Sequence, residues 1–119
     1  MKNHQEILLK LFKVLDGFKP QKPKLYAHLT EVMAARYFAD DLILYEEGQV
    51  VKEAFFLSSG ITVAYIFNEV GERQIVSIYQ AGEIIAGVSF MEQKKSPYCL
   101  MACKDAYVLS ISYQQMETV

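Results

Sequence analysis

The chain has 119 residues, the size of one domain, and 52% of them are hydrophobic, enough for a buried core without disulfides or metals. Charged residues make up 22% and the net charge is −2, a composition that excludes global disorder. No apolar run approaches the roughly 20 residues of a membrane helix, and the start of the chain lacks the apolar segment of a signal peptide. We therefore expect a cytoplasmic protein without membrane contact.

Basic charge is concentrated at the start of the chain, where residues 1–24 carry six lysines against two acidic residues. Such a segment is typical of a solvated helix face and also of a nucleic-acid contact. The sequence has neither a recognition-helix pattern nor interleaved basic and aromatic residues. We therefore favour the solvated face and expect no sequence-specific DNA binding by this chain.

Residues 1–35 are predicted to form an N-terminal helical segment. Asn3 is a plausible N-cap of the first helix and Gly17 its end. Prolines in the segment 19–23 break the helix, and a second helix is predicted over Lys24–Ala35. Apolar residues of the first helix recur at spacings of three and four and form one stripe: Ile7, Leu8, Leu11, Phe12 and Leu15.

From residue 36 onward, short runs of β-branched and aromatic residues alternate with turn residues. Glycines separate these runs at intervals of 11 or 12 residues, from Gly48 to Gly82. This spacing predicts an antiparallel sandwich or barrel. The predicted strands are Asp41–Tyr45, Ala54–Ser58, Ile61–Phe67, Arg73–Tyr79, Glu83–Ile85, Tyr98–Ala102 and Ala106–Ile111.

Three segments depart from the strand pattern. Residues 68–72 fit a hairpin loop. Residues 87–92 lack strand alternation and are predicted to form one helical turn, followed by a polar loop over 93–97. Ser112 and Gln115 fit a capping box, which predicts that a helix begins after the last strand.

The residues for metal or nucleophilic chemistry are sparse. His4 and His28 both precede the strands, and no histidine lies near Cys99 or Cys103 in the sequence. The two cysteines are best interpreted as small core hydrophobes on one strand face, in a reducing compartment. We predict no catalytic residue, no metal site and no certain cofactor.

The sequence resembles the cyclic-nucleotide-binding domains, and in particular the sensor domains of Crp/Fnr-type transcription regulators, over roughly residues 25–119 and most strongly over Gly48–Ser112. The likeness lies in residues 55–65, 71–75, 82–85 and 106–112. It implies a mainly β fold with flanking helices, an antiparallel β-roll or double-stranded β-helix jelly roll, over residues 36–119. It also implies a small molecule or a cyclic nucleotide as the ligand.

The resemblance places that ligand in a phosphate-binding cassette, where the family has Gly-Glu-Leu or Gly-Glu-Ile and then an Arg followed by Ser or Thr and Ala. Amides of a short helix and the Arg would hold the phosphate, and the Glu a ribose hydroxyl. Here Gly87 stands at the Glu position, and Ser96 or Pro97 at the Arg position. The loss of such charged contacts typically weakens binding by several kcal/mol. The candidate ligand-binding residues are Ile85, Ala86, Gly87, Val88, Ser89, Ser96, Pro97 and Tyr98.

Two functions are consistent with this sequence. In the first, a small molecule enters the β-roll, contacts the insert over residues 85–98 and shifts the flanking helices. In the second, the β-roll has lost its ligand and forms a homodimer or docks a protein partner. Regulators of this family continue into a long dimerisation helix and a winged helix-turn-helix. No segment of this sequence matches either, so we predict that no DNA-binding domain is present.

Overall fold

The computed structural model describes residues 4–18 and 23–117 of the chain. Its first helix, α1 (His4–Phe18), contains the predicted end residue Gly17 and continues one residue beyond it. The second helix, α2 (Pro23–Val32), starts at a proline, whose fixed φ suits the first helical position. The predicted N-cap Asn3 and the linker residues 19–22 lie outside the described residues.

The end of the second helix differs from the prediction. Ala34 and Ala35, predicted as helical, belong instead to strand β1 (Ala34–Tyr37). Their intrinsic preference is helical, but here the backbone pairs with the last strand, in the register Ala34 to Ser110 and Ala35 to Leu109. A tertiary contact therefore overrides the local preference.

Seven further strands and two short helices complete the fold. Every predicted strand is present, and its ends agree with the prediction to within one residue. The strands and helices are β2 (Leu42–Tyr45), β3 (Glu53–Ser59), β4 (Thr62–Phe67), β5 (Arg73–Tyr79), β6 (Ile84–Ile85), α3 (Val88–Met91), β7 (Cys99–Ala102), β8 (Tyr107–Ser112) and α4 (Tyr113–Glu117).

The strands form two antiparallel four-stranded sheets, in the orders β1-β8-β3-β6 and β2-β7-β4-β5. Alternate residues of β3 point to opposite faces of the first sheet. Phe55 and Leu57 are buried between the two sheets, in the interior of the roll. Ala54 and Phe56 are buried on the other face, in a cluster that includes residues of α1 and α2. The predicted β-roll with flanking helices is confirmed.

Gly60 forms the tight corner between β3 and β4. Its φ is +90°, which L side chains rarely adopt. A Cβ atom at this position would lie 2.7 Å from the Cα of Ala106. The corner therefore requires glycine for its conformation and also for its close approach to the β7–β8 connection.

The predicted capping box is present at the junction of β8 and α4. The backbone N–H of Gln115 donates to Ser112 Oγ at 3.1 Å, and the backbone N–H of Ser112 donates to Gln115 Oε1 at 3.1 Å. This reciprocal pair satisfies two donors that a helix start otherwise leaves unpaired.

Cys99 and Cys103 are free thiols, and both belong to one apolar cluster on the outer face of the second sheet. Among residues 4–18 and 23–117, no group of three or more His, Cys, Asp or Glu side chains is placed to hold a metal ion. No helix in this described part has the length and apolar character needed to cross a membrane.

Candidate functional site

The insert between β6 and β7 is built around the single helical turn α3. Gly87 precedes this turn with a φ of +21°. Phe90 is only 1% exposed and anchors the turn in the cluster below the first sheet. Val88, two residues earlier in the same turn, is 70% exposed. One face of α3 is therefore fixed in the core, while the other faces solvent.

Three backbone hydrogen bonds and one from a side chain connect the insert to the loop between β2 and β3. The N–H of Gly48 donates to Ser96 O at 2.8 Å, and the N–H of Ser96 donates to Gln49 O at 2.8 Å. The N–H of Val51 donates to Lys94 O at 3.3 Å, and Gln93 Nε2 donates to Val51 O at 2.8 Å. These bonds hold the polar loop 93–97 beside the β2–β3 loop.

A small cavity of about 10 Å³ lies behind the insert. This volume is about what one water molecule needs. Among the described residues, none that lines the cavity carries a charged side chain. The lining residues are Tyr45, Val51, Ile85, Ala86, Gly87, Ser89, Phe90 and Tyr98.

The structure brings five of the eight candidate ligand-binding residues to this cavity: Ile85, Ala86, Gly87, Ser89 and Tyr98. Val88 and Pro97 are exposed and do not line it. Ser96 is buried and holds the backbone of Tyr98. Its hydroxyl donates to Tyr98 O at 2.6 Å and accepts from Tyr98 N at 3.2 Å.

Sequence reasoning missed Tyr45, Val51 and Phe90 as lining residues. Tyr45 was within a predicted strand, and Phe90 within the predicted turn, but their convergence depends on how three separate elements pack. The sequence indicates which side chains point inward only through the period-two alternation within the strands.

Three tyrosines meet inside the roll next to the cavity. Tyr98 and Tyr79 pack against the interior core, and Tyr45 contacts both this core and the cluster below the first sheet. Burial raises the pKa of Tyr45, and the neighbouring Tyr98 and Tyr79 raise it further. Burial also raises the pKa of Tyr79, with added contributions from Tyr98, including a hydrogen bond. All of these effects favour neutral phenols in this position.

The charged residues of the insert point to solvent. Lys94 Nζ lies 2.6 Å from Glu92 Oε2, and the two side chains are 68% and 49% exposed. An ion pair so exposed contributes little to stability. These side chains belong to the insert but do not line the cavity.

The insert also contacts the last helix. The rings of Phe90 and Tyr113 lie 5.7 Å apart at an interplanar angle of 78°, an edge-to-face contact. The N–H of Tyr113 donates to Lys52 O at 3.0 Å, at the end of the β2–β3 loop. The start of α4 is therefore attached to both segments that surround the cavity.

A second and larger cavity, of about 440 Å³, also has Tyr45 in its wall. Its walls combine apolar side chains with the polar groups of Gln49, Lys52 and Glu53. Glu53 Oε2 lies 3.9 Å from Arg36 Nη1, so the acidic group there is already paired. Its remaining lining residues are Leu44, Tyr45, Val50 and Phe55.

Solved structures with this fold were found at low sequence identity. A cyclic nucleotide-binding-like protein from Brucella abortus matches with a TM-score of 0.77 and 17% identity, over 91% of this chain and 95% of that chain. The Thermus thermophilus catabolite activator protein matches with a TM-score of 0.70 and 14% identity, over 85% of this chain and 47% of that chain.

A third match is the regulatory subunit of a cAMP-independent protein kinase A from Trypanosoma brucei, as a variant bound to cAMP. Its TM-score is 0.77 at 11% identity, over 98% of this chain and 41% of that chain. The present chain thus spans less than half the length of the Thermus and Trypanosoma proteins. At these identities the likeness establishes the fold alone.

The family is established by sequence. Among curated proteins, none matches the chain. A protein-family model described as "Cyclic nucleotide-binding domain" matches residues 35–119, from strand β1 to the end of the chain. The matched region includes the insert and the segment Gly48–Ser112, where the resemblance is strongest. The chain belongs to the cyclic nucleotide-binding domain family.

Proposed function

We propose that this domain is a ligand-sensing regulatory module, in which a small molecule bound behind the insert shifts the last helix. Domains of this family are typically non-catalytic regulatory modules. The observation that supports the proposal most is the contact between Phe90 and Tyr113, since it joins the cavity-lining turn α3 directly to α4. A ligand that moves α3 changes this contact. A site is coupled to a distant element when the contacts between them differ in the free and bound states.

We further propose that cyclic AMP and cyclic GMP bind this site weakly. Gly87 and the segment Ser96-Pro97 supply neither the carboxylate nor the guanidinium of the family pattern. Transfer of an anionic phosphate to an uncharged cavity is unfavourable without such partners. The Trypanosoma brucei regulatory subunit is described as cAMP-independent, and a variant of it carrying three substitutions is bound to cAMP. Dependence on cAMP therefore varies among proteins with this fold.

The regulated process that we propose is transcription. The support is the resemblance to Crp/Fnr-type sensor domains, together with the shared fold of the Thermus thermophilus catabolite activator protein. In such an arrangement the domain would bind the signal and α4 would pass it to an effector outside this β-roll. We propose that the helices α1 and α2 pack on the roll as one segment, and that the roll begins with strand β1 at Ala34, two residues before the predicted boundary at residue 36.

Calorimetric titration with a panel of nucleotides and other small molecules tests the sensing proposal. A sensing domain gives saturable binding of at least one compound, and this binding is abolished by Gly87→Leu. The Val70→Leu variant is a suitable control, because Val70 lies in the exposed 68–72 hairpin loop. Saturable binding that survives Gly87→Leu, or no binding across the panel, would argue against sensing at this site.

A second candidate function is homodimerisation, and a specific apolar face favours it. On the outer face of the second sheet, Ile43, Met101, Val63 and Ile78 form one row across the four strands. Val63 is buried and Met101 half-buried, so the exposed apolar groups of this row are those of the edge strands, Ile43 and Ile78. Ile78 is 57% exposed, as is its neighbour Ile75. Exposed contiguous apolar surfaces commonly mark interaction sites.

Light scattering separates this candidate from ligand sensing. A dimer through this face is converted to a monomer by Ile78→Lys, because a charge cannot be buried there without a partner. The control Val70→Lys places the same charge on the hairpin loop and leaves a dimer intact. A wild-type monomer would rule out this second function.

A further inference from the structure

The ligand class of the insert site follows from three features of its cavity, if the proposed sensing function is accepted as the starting point. The first feature is the absence of charge. The lining consists of apolar residues, one serine and two tyrosines. An ion entering this space would lose its hydration without gaining a countercharge. The cavity therefore selects against anions and cations alike.

The second feature is a group of hydroxyls at the cavity and beside it, since Tyr45 and Tyr98 line the cavity and Tyr79 is their neighbour. Tyr45, Tyr79 and Tyr98 project from three different strands or strand ends into the same part of the roll. Each phenol is a donor and an acceptor, so the group is able to recognise another hydroxyl on a bound molecule. Aromatic walls add stacking or edge contacts with a ring.

The third feature is the position of the Tyr98 side chain. Its hydroxyl lies 3.8 Å from the place that a Cβ atom on Gly87 would take. The residual cavity of about 10 Å³ is too small for any organic molecule while this ring is present. The backbone of residue 98 is held by Ser96, at 2.6 and 3.2 Å, independently of the ring. The ring is thus able to leave without loss of these anchoring bonds.

We propose that the Tyr98 phenol fills the ligand position of this site, and that the ligand is an uncharged aromatic molecule with a hydroxyl group, which replaces that phenol between Tyr45, Tyr79 and Gly87. In this account the ligand enters as Tyr98 swings out. The exchange changes the packing of the cavity wall, which includes Phe90, and the signal passes to α4 through Phe90 and Tyr113. The ring of Tyr98 acts as an internal competitor of the ligand.

The test uses 4-methylphenol, which is the side chain of tyrosine as a free molecule, and the variant Tyr98→Ala. Removal of the ring leaves an apolar space that a small aromatic molecule is able to fill. Calorimetry should show saturable binding to Tyr98→Ala, at least about tenfold tighter than to the wild type, because no internal ring competes. Toluene should bind about fivefold more weakly than 4-methylphenol, since it lacks the hydroxyl. Cyclic AMP should give no saturable heat.

Tyr37→Ala is the matched control, because it removes an exposed tyrosine that is outside the cavity lining. It should bind 4-methylphenol no better than the wild type. Equal binding by both alanine variants, no binding by a folded Tyr98→Ala protein, or tighter binding of cyclic AMP than of 4-methylphenol would overturn the proposal.

The wild type provides a second measurement that does not depend on the folding of Tyr98→Ala. Millimolar 4-methylphenol should shift the amide NMR signals of Gly87, Ser89 and Tyr98, and the absence of these shifts would also overturn the proposal. If they occur while the signals of α4 stay fixed, the ligand class is supported and sensing fails. If another compound moves α4 but 4-methylphenol does not bind, sensing stands and this ligand class is wrong.

Discussion

The hydroxyl of Tyr98 lies over Gly87, 3.8 Å from the position of a Cβ atom on residue 87. The two residues therefore face each other across the cavity behind the insert. Gly87 has no side chain, and the Tyr98 phenol faces it across the cavity. The size and the chemistry of the site follow from this pair.

The ring of Tyr98 should contribute strongly to stability. We expect Tyr98→Ala to lower the free energy of unfolding by about 3 kcal/mol, because it leaves a space in the roll interior. Tyr98→Phe should cost only about 1 kcal/mol, since it retains the ring and loses one hydrogen-bonding group. Urea unfolding measures both values. Equal losses of unfolding free energy in the two variants would show that Tyr98 stabilises the fold through its hydroxyl and not through its ring.

The corner at Gly60 should be more sensitive to substitution than the corner at Gly48. Both have a positive φ, but a Cβ at Gly60 would meet the Cα of Ala106 at 2.7 Å, whereas at Gly48 it would meet nothing within 4 Å. We expect Gly48→Ala to cost about 1 kcal/mol for its backbone conformation. Gly60→Ala should cost about 1–3 kcal/mol more, because the adjoining backbone must shift. Similar unfolding midpoints for the two variants would contradict this close contact.

The capping box should determine whether α4 is formed. Ser112→Ala removes the acceptor of the 3.1 Å bond from Gln115 N, so it should lower stability by about 1 kcal/mol. Gln114→Ala, in the same helix but outside the box, serves as the control and should have almost no effect. Amide hydrogen exchange at Gln115 provides a local readout. Unchanged protection in Ser112→Ala would mean that the cap does not hold this helix.

Stability should fall in alkaline solution through the buried tyrosines. Burial, followed by the proximity of Tyr98 and Tyr79, raises the pKa of Tyr45 above its ordinary value of 10.0. The unfolded chain therefore loses this proton first, and the stabilisation that is complete below about pH 10 is lost as the pH rises through the folded-state value. Urea unfolding at about pH 8 and about pH 11 measures the decline.

The variant Tyr45→Phe tests whether Tyr45 causes this decline in stability. It removes the group with the raised pKa while retaining the ring, so its stability should fall less between the two pH values than that of the wild type. Part of the decline should remain, because burial also raises the pKa of Tyr79. An identical decline in variant and wild type would exclude Tyr45 as a cause.

The sequence predicted the β-roll well because its local signals and its tertiary contacts agree. Alternating residues place Phe55 and Leu57 in one core and Phe56 in the other, and period-two patterning alone is sufficient for this. The strand β1 was missed because Ala34 and Ala35 favour helix, and only their pairing with β8 makes them extended.

The site was predicted less completely, for a related physical reason. Sequence identified the insert, because Gly87 and its neighbours interrupt the strand pattern. It did not identify the meeting of Tyr45, Tyr79 and Tyr98, since these side chains come from elements far apart in the chain. The strands β2, β5 and β7 that carry or adjoin them belong to the same sheet, so their convergence depends on the strand order and shape of that sheet, which no local pattern encodes. The same limit applies to the contact between Phe90 and Tyr113.

Calorimetric titration of the wild-type protein with cyclic AMP is the most direct test of the uncharged cassette. The cavity offers a phosphate no charged partner, and the Tyr98 ring occupies the space behind Gly87. We therefore expect no saturable heat at cyclic AMP concentrations up to about 1 mM, where a binding free energy of about −4 kcal/mol would be visible. Saturable binding with a dissociation constant of about 1 μM, near −8 kcal/mol, would contradict it.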